Sequence, residues 1–151
     1  MEGEEASLEI LGVSVKGCKY SGLFVNYGAS VKATQCEFSE NGLSGVFVNE
    51  GSKGIFTDCI FHHNGNSGVC AYPRLVELRG EQTEIHHNTR DGLLAGSNAT
   101  INIYIPSRSI TALVHDNEEG SDLGTFSGGK IQSQLSSSSL ELTVIDPVPP
   151  Q

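Results

Sequence analysis

The sequence predicts an all-β fold: a right-handed parallel β-helix of about five turns, with three short strands per turn. Three observations carry this expectation. A motif recurs at a step of 23 or 24 residues. Each copy holds short runs, such as GIF, CIF and VFV, in which alternate residues are apolar, as in a strand that buries one face. Glycine, asparagine and serine punctuate those runs, and the 18 glycines show no collagen-like period.

The repeat is clearest in CEFSENGLSGV, starting at Cys36, and CIFHHNGNSGV, starting at Cys59. Aligned on cysteine, VSVKGC ends at Cys18, VKATQC at Cys36 and GIFTDC at Cys59. Two residues later stand Tyr20, Phe38 and Phe61. Asn41 and Asn64 follow, then Gly45-Val46 and Gly68-Val69. Weaker spellings place Thr83, Ile85, Asn88 and Gly92-Leu93 in the next copy, and Val114 and Asn117 in the last. Read this way the first turn is short, passing from Tyr20 straight into SGLFV. A strand triplet every two dozen residues suits a coil in which each strand pairs in parallel with its equivalent one turn on, ~4.8 Å away. A leucine-rich horseshoe of similar period needs several leucines and a helical segment per unit, and this chain offers neither.

The F-x-x-N-x-x-x-G-V unit resembles the parallel β-helix repeat of the pectin-lyase-like superfamily. That superfamily includes polysaccharide lyases, hydrolases and mannuronan epimerases. It also includes carbohydrate-binding or sugar-hydrolase-type modules of intracellular eukaryotic proteins, among them an F-box substrate adaptor. The resemblance spans Val13 to Ile131 and speaks to fold, because the repeated residues are those that build the coil.

Like residues should stack on like. Cys18, Cys36 and Cys59 form one inward column of free thiols, packing as small hydrophobes. Tyr20, Phe38, Phe61, Ile85 and Val114 form the next. Asn41, Asn64, Asn88 and Asn117 form a third, at a bend, where asparagine tolerates the left-handed backbone and its amides link rung to rung in a ladder. Reduced cysteines, and a start (MEGEEASLEI) without a basic, apolar leader, lead to the expectation of a cytoplasmic protein.

Function should lie where the repeat does not dictate the residue. Between the aromatic and the asparagine stand Ser39-Glu40, His62-His63, His86-His87 and His115-Asp116, which include all five histidines. Stacked at ~4.8 Å, the strip Glu40, His62, His63, His86, His87, His115 and Asp116 could hold a ligand, share a weak divalent metal or transfer a proton. No cofactor is required.

Net charge is −9 and pI about 4.9, which argues against nucleic acid, and no apolar run is long enough to span a membrane. The D-P-H-E motif of mannuronan epimerases and the R-x-P-x-x-R stretch of pectate lyases are absent. Asp58, Asp91 and Glu77 are scattered over different columns; Arg74, Arg79, Arg90 and Arg108 fall in the later turns. The expected organisation is an acidic cap at 1–12 guarded by Glu2, Glu4 and Glu5, a β-helix at 13–132, and a Ser/Pro-rich tail at 133–151. In that tail SQLSSSS is a linker, LELTVI a last strand and DPVPPQ disordered. The leading expectation for function is a non-catalytic module for glycan or protein recognition, or a rigid scaffold. A carbohydrate-active lyase, hydrolase or epimerase comes second, and a protein that self-assembles through its β-helix ends third.

Overall fold

The computed structural model describes residues 6–105, 107–118, 122–136 and 139–145. The first rung is β1 (Ser7–Leu11), β2 (Ser14–Lys16) and β3 (Leu23–Val25). The second is β4 (Ser30–Thr34), β5 (Glu37–Ser39) and β6 (Val46–Val48). The third is β7 (Lys53–Thr57), β8 (Ile60–His62) and β9 (Val69–Ala71). The fourth is β10 (Leu75–Arg79), β11 (Glu84–His86) and β12 (Leu93–Ala95). The fifth is β13 (Thr100–Tyr104), a four-residue helix α1 (Ile110–Leu113), β14 (Val114–His115) and β15 (Leu123–Thr125). β16 (Lys130–Ser136) and β17 (Ser139–Ile145) follow.

First strands stack into sheet A (β1-β4-β7-β10-β13-β16-β17), second strands into sheet B (β2-β5-β8-β11-β14) and third strands into sheet C (β3-β6-β9-β12-β15). All pairings are parallel except β16 with β17. This is a right-handed parallel β-helix, the hand that parallel crossovers favour. Five strands stack in sheets B and C, so the coil steps four times from first rung to last, slightly fewer than the five turns expected.

The core is a set of columns. Phe38 and Phe61 are fully buried and stack with centroids 5.3 Å apart and planes 7° apart, and Phe56 meets both edge-on. Burying each ring contributes about 1.5–3 kcal/mol. Ile85 and Val114 continue that column. Cys36 and Cys59 donate weakly to carbonyls of the preceding corner, Thr34 O at 3.3 Å and Thr57 O at 3.4 Å. Thr83 takes the same place in the fourth rung, its hydroxyl donating to Arg79 O at 2.7 Å. Burial pushes the Cys59 thiol up to about 12, so it is held protonated. All four cysteines are free.

The first turn differs from the sequence expectation. Val15, not Tyr20, pairs with Phe38, and Tyr20 is 63% exposed. The Val13 carbonyl accepts from Glu37 N, so Val13 fills the cysteine position, while Cys18 lies opposite Asn41. Leu8 and Ile10 pair with Val31 and Ala33, the places assigned to Val13 and Val15. The reason is chain length: a rung with three strands and three corners takes the 23 residues between Ser7 and Ser30, and an 18-residue turn cannot supply them. The coil therefore begins by Ser7, inside the segment assigned to a cap. At the other end, Ser133–Ser136 belong to β16 and Ser139 to β17, so most of the expected linker is strand. LELTVI falls in β17, which folds back antiparallel on β16 of its own solenoid. Glu2, Glu4, Glu5 and DPVPPQ lie outside the described residues.

Three corners per turn bend the coil through left-handed residues. Gly12, Gln35, Asp58 and Gly80 do so between sheets A and B. Gly17, Glu40, His63, His87 and Asp116 do so between B and C, with φ from 54° to 71°. The ladder asparagines are not among the positive-φ residues. The bend falls one residue earlier than expected, because the asparagine side chain must point inward to reach the next rung.

Candidate functional site

The corner between sheets B and C carries two neighbouring columns, one inward and one outward. Inward is the asparagine ladder. Asn64 donates from its backbone N (3.1 Å) and Nδ2 (2.9 Å) to Asn88 Oδ1, and from Nδ2 to Phe38 O at 3.1 Å. Its own Oδ1 accepts from Asn41 N and Nδ2. Asn88 repeats this on Asn117 and Phe61 O. The Cys18 N–H begins the ladder on Asn41 Oδ1 at 3.0 Å. At the far end Asn117 Nδ2 donates at 2.9 Å to Asp122, whose carboxylate stands where the next amide would be. The glycine of each Gly-Val pair makes room for this ladder. A Cβ at Gly45 would lie 2.9 Å from Asn64 Nδ2, and one at Gly68 2.9 Å from Asn88 Nδ2.

Outward, every residue of the expected ligand strip converges. His62, His86 and His115 pair in register on sheet B and stack with centroids 5.1 and 5.5 Å apart, planes within 6°. Ser39 and Lys16 head that column. His63 stacks on His87 at 5.1 Å, with Glu40 above and Asp116 below. Lys16 Nζ contacts Glu40 Oε2 at 3.1 Å. His62 Nε2 contacts Glu37 Oε2 at 2.8 Å, and its hydrogen bond holds the Glu37 carboxyl below the usual range. His115 lies between Asp116 Oδ2 (2.8 Å from Nδ1) and Glu84 Oε1 (2.9 Å from Nε2). Two acceptors on two ring nitrogens favour the imidazolium, so Asp116 and then Glu84 raise the His115 pKa. Burial lowers that of His86, opposed by Glu84, with neighbouring imidazoles adding to the lowering.

Within a rung the rings meet head-on. His62 Nδ1 and His63 Nδ1 are 2.7 Å apart, as are His86 Nδ1 and His87 Nδ1. The centroids in each pair are 4.9 Å apart, close to the largest separation that contact allows. The in-plane lone pairs therefore point at one another, the geometry of one shared proton. A chelated ion needs both lone pairs turned toward a point off that line, ~2.0–2.1 Å from each nitrogen. Among the described residues no group of three or more His, Cys, Asp or Glu side chains is placed to hold a metal.

The other polar residues singled out from the sequence do not converge. Glu77 pairs with Arg79 (2.9 Å) on the outer face of sheet A, and Arg79 lies over the Tyr104 ring at 4.5 Å. Asp58 Oδ1 accepts from Gln82 N at 3.0 Å in another corner. Arg74 donates to Gly51 O at 3.1 Å, and Arg108 to the carbonyls of Glu81, Thr83 and Ala112. Asp91 and the exposed Arg90 fall in the turn before β12.

Sheet C holds a surface that sequence reasoning missed. Phe24 and Phe47 pair outward in register with Cys70, and their rings are 5.3 Å apart. Tyr72 continues the strip 5.1 Å from Phe47, and Phe126 lies 5.2 Å from Tyr72, over Gly96. Tyr20 and Leu43 border a cavity beside Phe24 and Phe47. Phe24 is 54% exposed. Within the strip, burial pushes the Cys70 thiol up to about 11 and the Tyr72 phenol up to about 12. The available signal was the 23-residue spacing of Phe24 and Phe47; the strip then shifts by two positions to Tyr72, which hides its continuation.

The profile of the right-handed β-helix region family matches residues 1–108. The chain belongs to this family. No curated protein and no solved structure matches it significantly. Family membership defines this β-helix chain's architecture, and its chemistry must be read from its own surfaces.

Proposed function

We propose that this β-helix chain is a non-catalytic recognition module that binds a neutral glycan along sheet C. The observation that carries this reading is the aromatic strip Phe24–Phe47–Tyr72–Phe126, with neighbouring ring centroids 5.1–5.3 Å apart and Phe126 reaching Tyr72 across Gly96. Of ten aromatic residues, three fill the core, while Tyr20, Phe24, Tyr27, Phe47, Tyr72 and Phe126 gather on or beside sheet C. Exposed apolar surface of this kind marks interaction sites.

The outward columns of the sheet, Phe24, Phe47, Cys70, Leu94 and Gly124, then Asn26, Asn49, Tyr72, Gly96 and Phe126, contain no charged residue, in a chain of net charge −9. The Asp91 carboxylate reaches the sheet at Gly124, and the columns themselves stay uncharged, which on an acidic protein suits a neutral partner better than a uronate chain. Ring faces pack against the C–H faces of sugars, and the Asn49 and Tyr72 side chains supply hydrogen-bonding groups for hydroxyls. The scattered carboxylates support a module without a paired-acid centre.

The test is titration of neutral β-linked oligosaccharides into the wild type and a Phe24→Ala, Phe47→Ala variant. Binding that weakens by tenfold or more in the variant supports the reading. Failure of every neutral oligosaccharide at millimolar concentration sinks it, and capture of a protein in their place reassigns the strip to protein recognition.

A further inference from the structure

The outward histidine columns are not used by that reading, and their geometry is unusually specific. We propose that this corner is an acid-sensitive latch, in which imidazole pairs that hold the corner by shared protons near neutrality push it open once each facing nitrogen carries its own.

Two contacts change sign on protonation. Near neutrality one Nδ1 of each pair donates and the other accepts, across 2.7 Å. When both are protonated, two N–H groups face each other and the rings must swing apart. The stacks add to this. Imidazolium charges in the His62–His86–His115 column stand 5.1–5.5 Å from one another, and those in the His63–His87 column 5.1 Å.

The charged groups around them are few. β2 supplies Lys16, already paired with Glu40. β5 supplies Glu37 to His62, and β11 supplies Glu84 to His115. Asp116 faces His115 and also interacts with the charge of His87 and His86. His86 sits at the middle of the stack, and its hydrogen bond runs to another imidazole, His87. Burial there outweighs the pull of the Glu84 carboxylate, so charging His86 is disfavoured.

The corner titrates with two arms. His86 has a folded pKa below its ordinary 6.5, so the unfolded chain takes up the proton more readily, and stability falls as pH drops below about 6.5 through the folded value. His115 has a raised pKa, so its contribution is full below about 6.5 and is lost as pH rises through its folded value. Stability should therefore peak near the ordinary histidine pKa. The acid arm belongs to His86 and the alkaline arm to His115.

The test is urea unfolding at about pH 5, 6.5 and 8, on wild type, His86→Gln/His87→Asn and His115→Gln, with histidine Hε1 NMR titration of the wild type. Asparagine suits the left-handed backbone at position 87, where φ is 54°. The expected result is a wild-type midpoint lower at both ends, an acid arm reduced by at least half in the double variant, and an alkaline arm lost in His115→Gln. The NMR should show two-step, mutually dependent titration of the four paired rings. An acid arm unchanged in the double variant, or five histidines titrating independently at the ordinary value, overturns the proposal. If the double variant does not fold, the wild-type titration decides.

Discussion

The two columns at the corner between sheets B and C stand one residue apart in sequence and follow the same step, yet they respond to their surroundings in opposite ways. The inward column is amide. An amide donates and accepts at once, so each asparagine is satisfied by an identical neighbour at any ordinary pH, and the ladder ends on a carboxylate that can only accept. The outward column is imidazole. A neutral imidazole also donates and accepts, but only while it holds one proton. Stacking identical groups therefore gives permanence on one side of the backbone and conditional cohesion on the other.

The largest expected effect probes the inward side. Asn64→Ala removes every side-chain bond of a fully buried rung, strands the donors of Asn41 and the carbonyl of Phe38, and should cost about 3–5 kcal/mol in chemical denaturation. A loss under 1 kcal/mol would mean that the ladder is an accompaniment of the coil rather than its cause. Gly68→Ala should follow at about 1–3 kcal/mol, since the added methyl meets Asn88 Nδ2 and the Gly92 carbonyl. A structure of this variant should show the Asn88 amide displaced. Asp122→Ala exposes the ladder end, and about 0.5–1.5 kcal/mol is expected.

Smaller still is the outward side at neutral pH. His63→Asn should change stability by no more than about 0.5 kcal/mol, because the ring is exposed and asparagine accepts the same backbone angle. A loss as large as that of Asn64→Ala would erase the contrast between the columns. Thiol labelling sharpens it without mutation. Cys18, half-exposed at the head of the ladder, should react first under native conditions, while Cys59 and Cys70, held protonated by burial, should wait for unfolding. Equal rates would show that the coil opens far more readily than its packing implies.

The repeat was legible wherever packing forces like onto like. Phe38 and Phe61, Asn41 through Asn117, and the histidine pairs all fell into their columns because parallel pairing fixes register. The first turn misled because Cys18 and Tyr20 imitate the C-x-F spelling while valines do the work of that motif. A letter match cannot tell an inward cysteine from one at a corner, but a count of residues per turn can. Proton sharing was illegible because it depends on ring rotation, not on spacing. The aromatic strip was hidden because its neighbours come from two different columns.

The register also constrains how such a chain can change. The step on sheet A is 23 residues at the first two intervals, 22 and 25 at the next two, and 30 at the fifth, yet strand still meets strand in phase. Length differences are absorbed at corners, as in the segment that carries α1. Lineages should therefore gain or lose whole rungs freely, tolerate odd-sized inserts at corners, and almost never shift a strand by one residue. The coil's history is written in two alphabets, one of whole turns and one of loops.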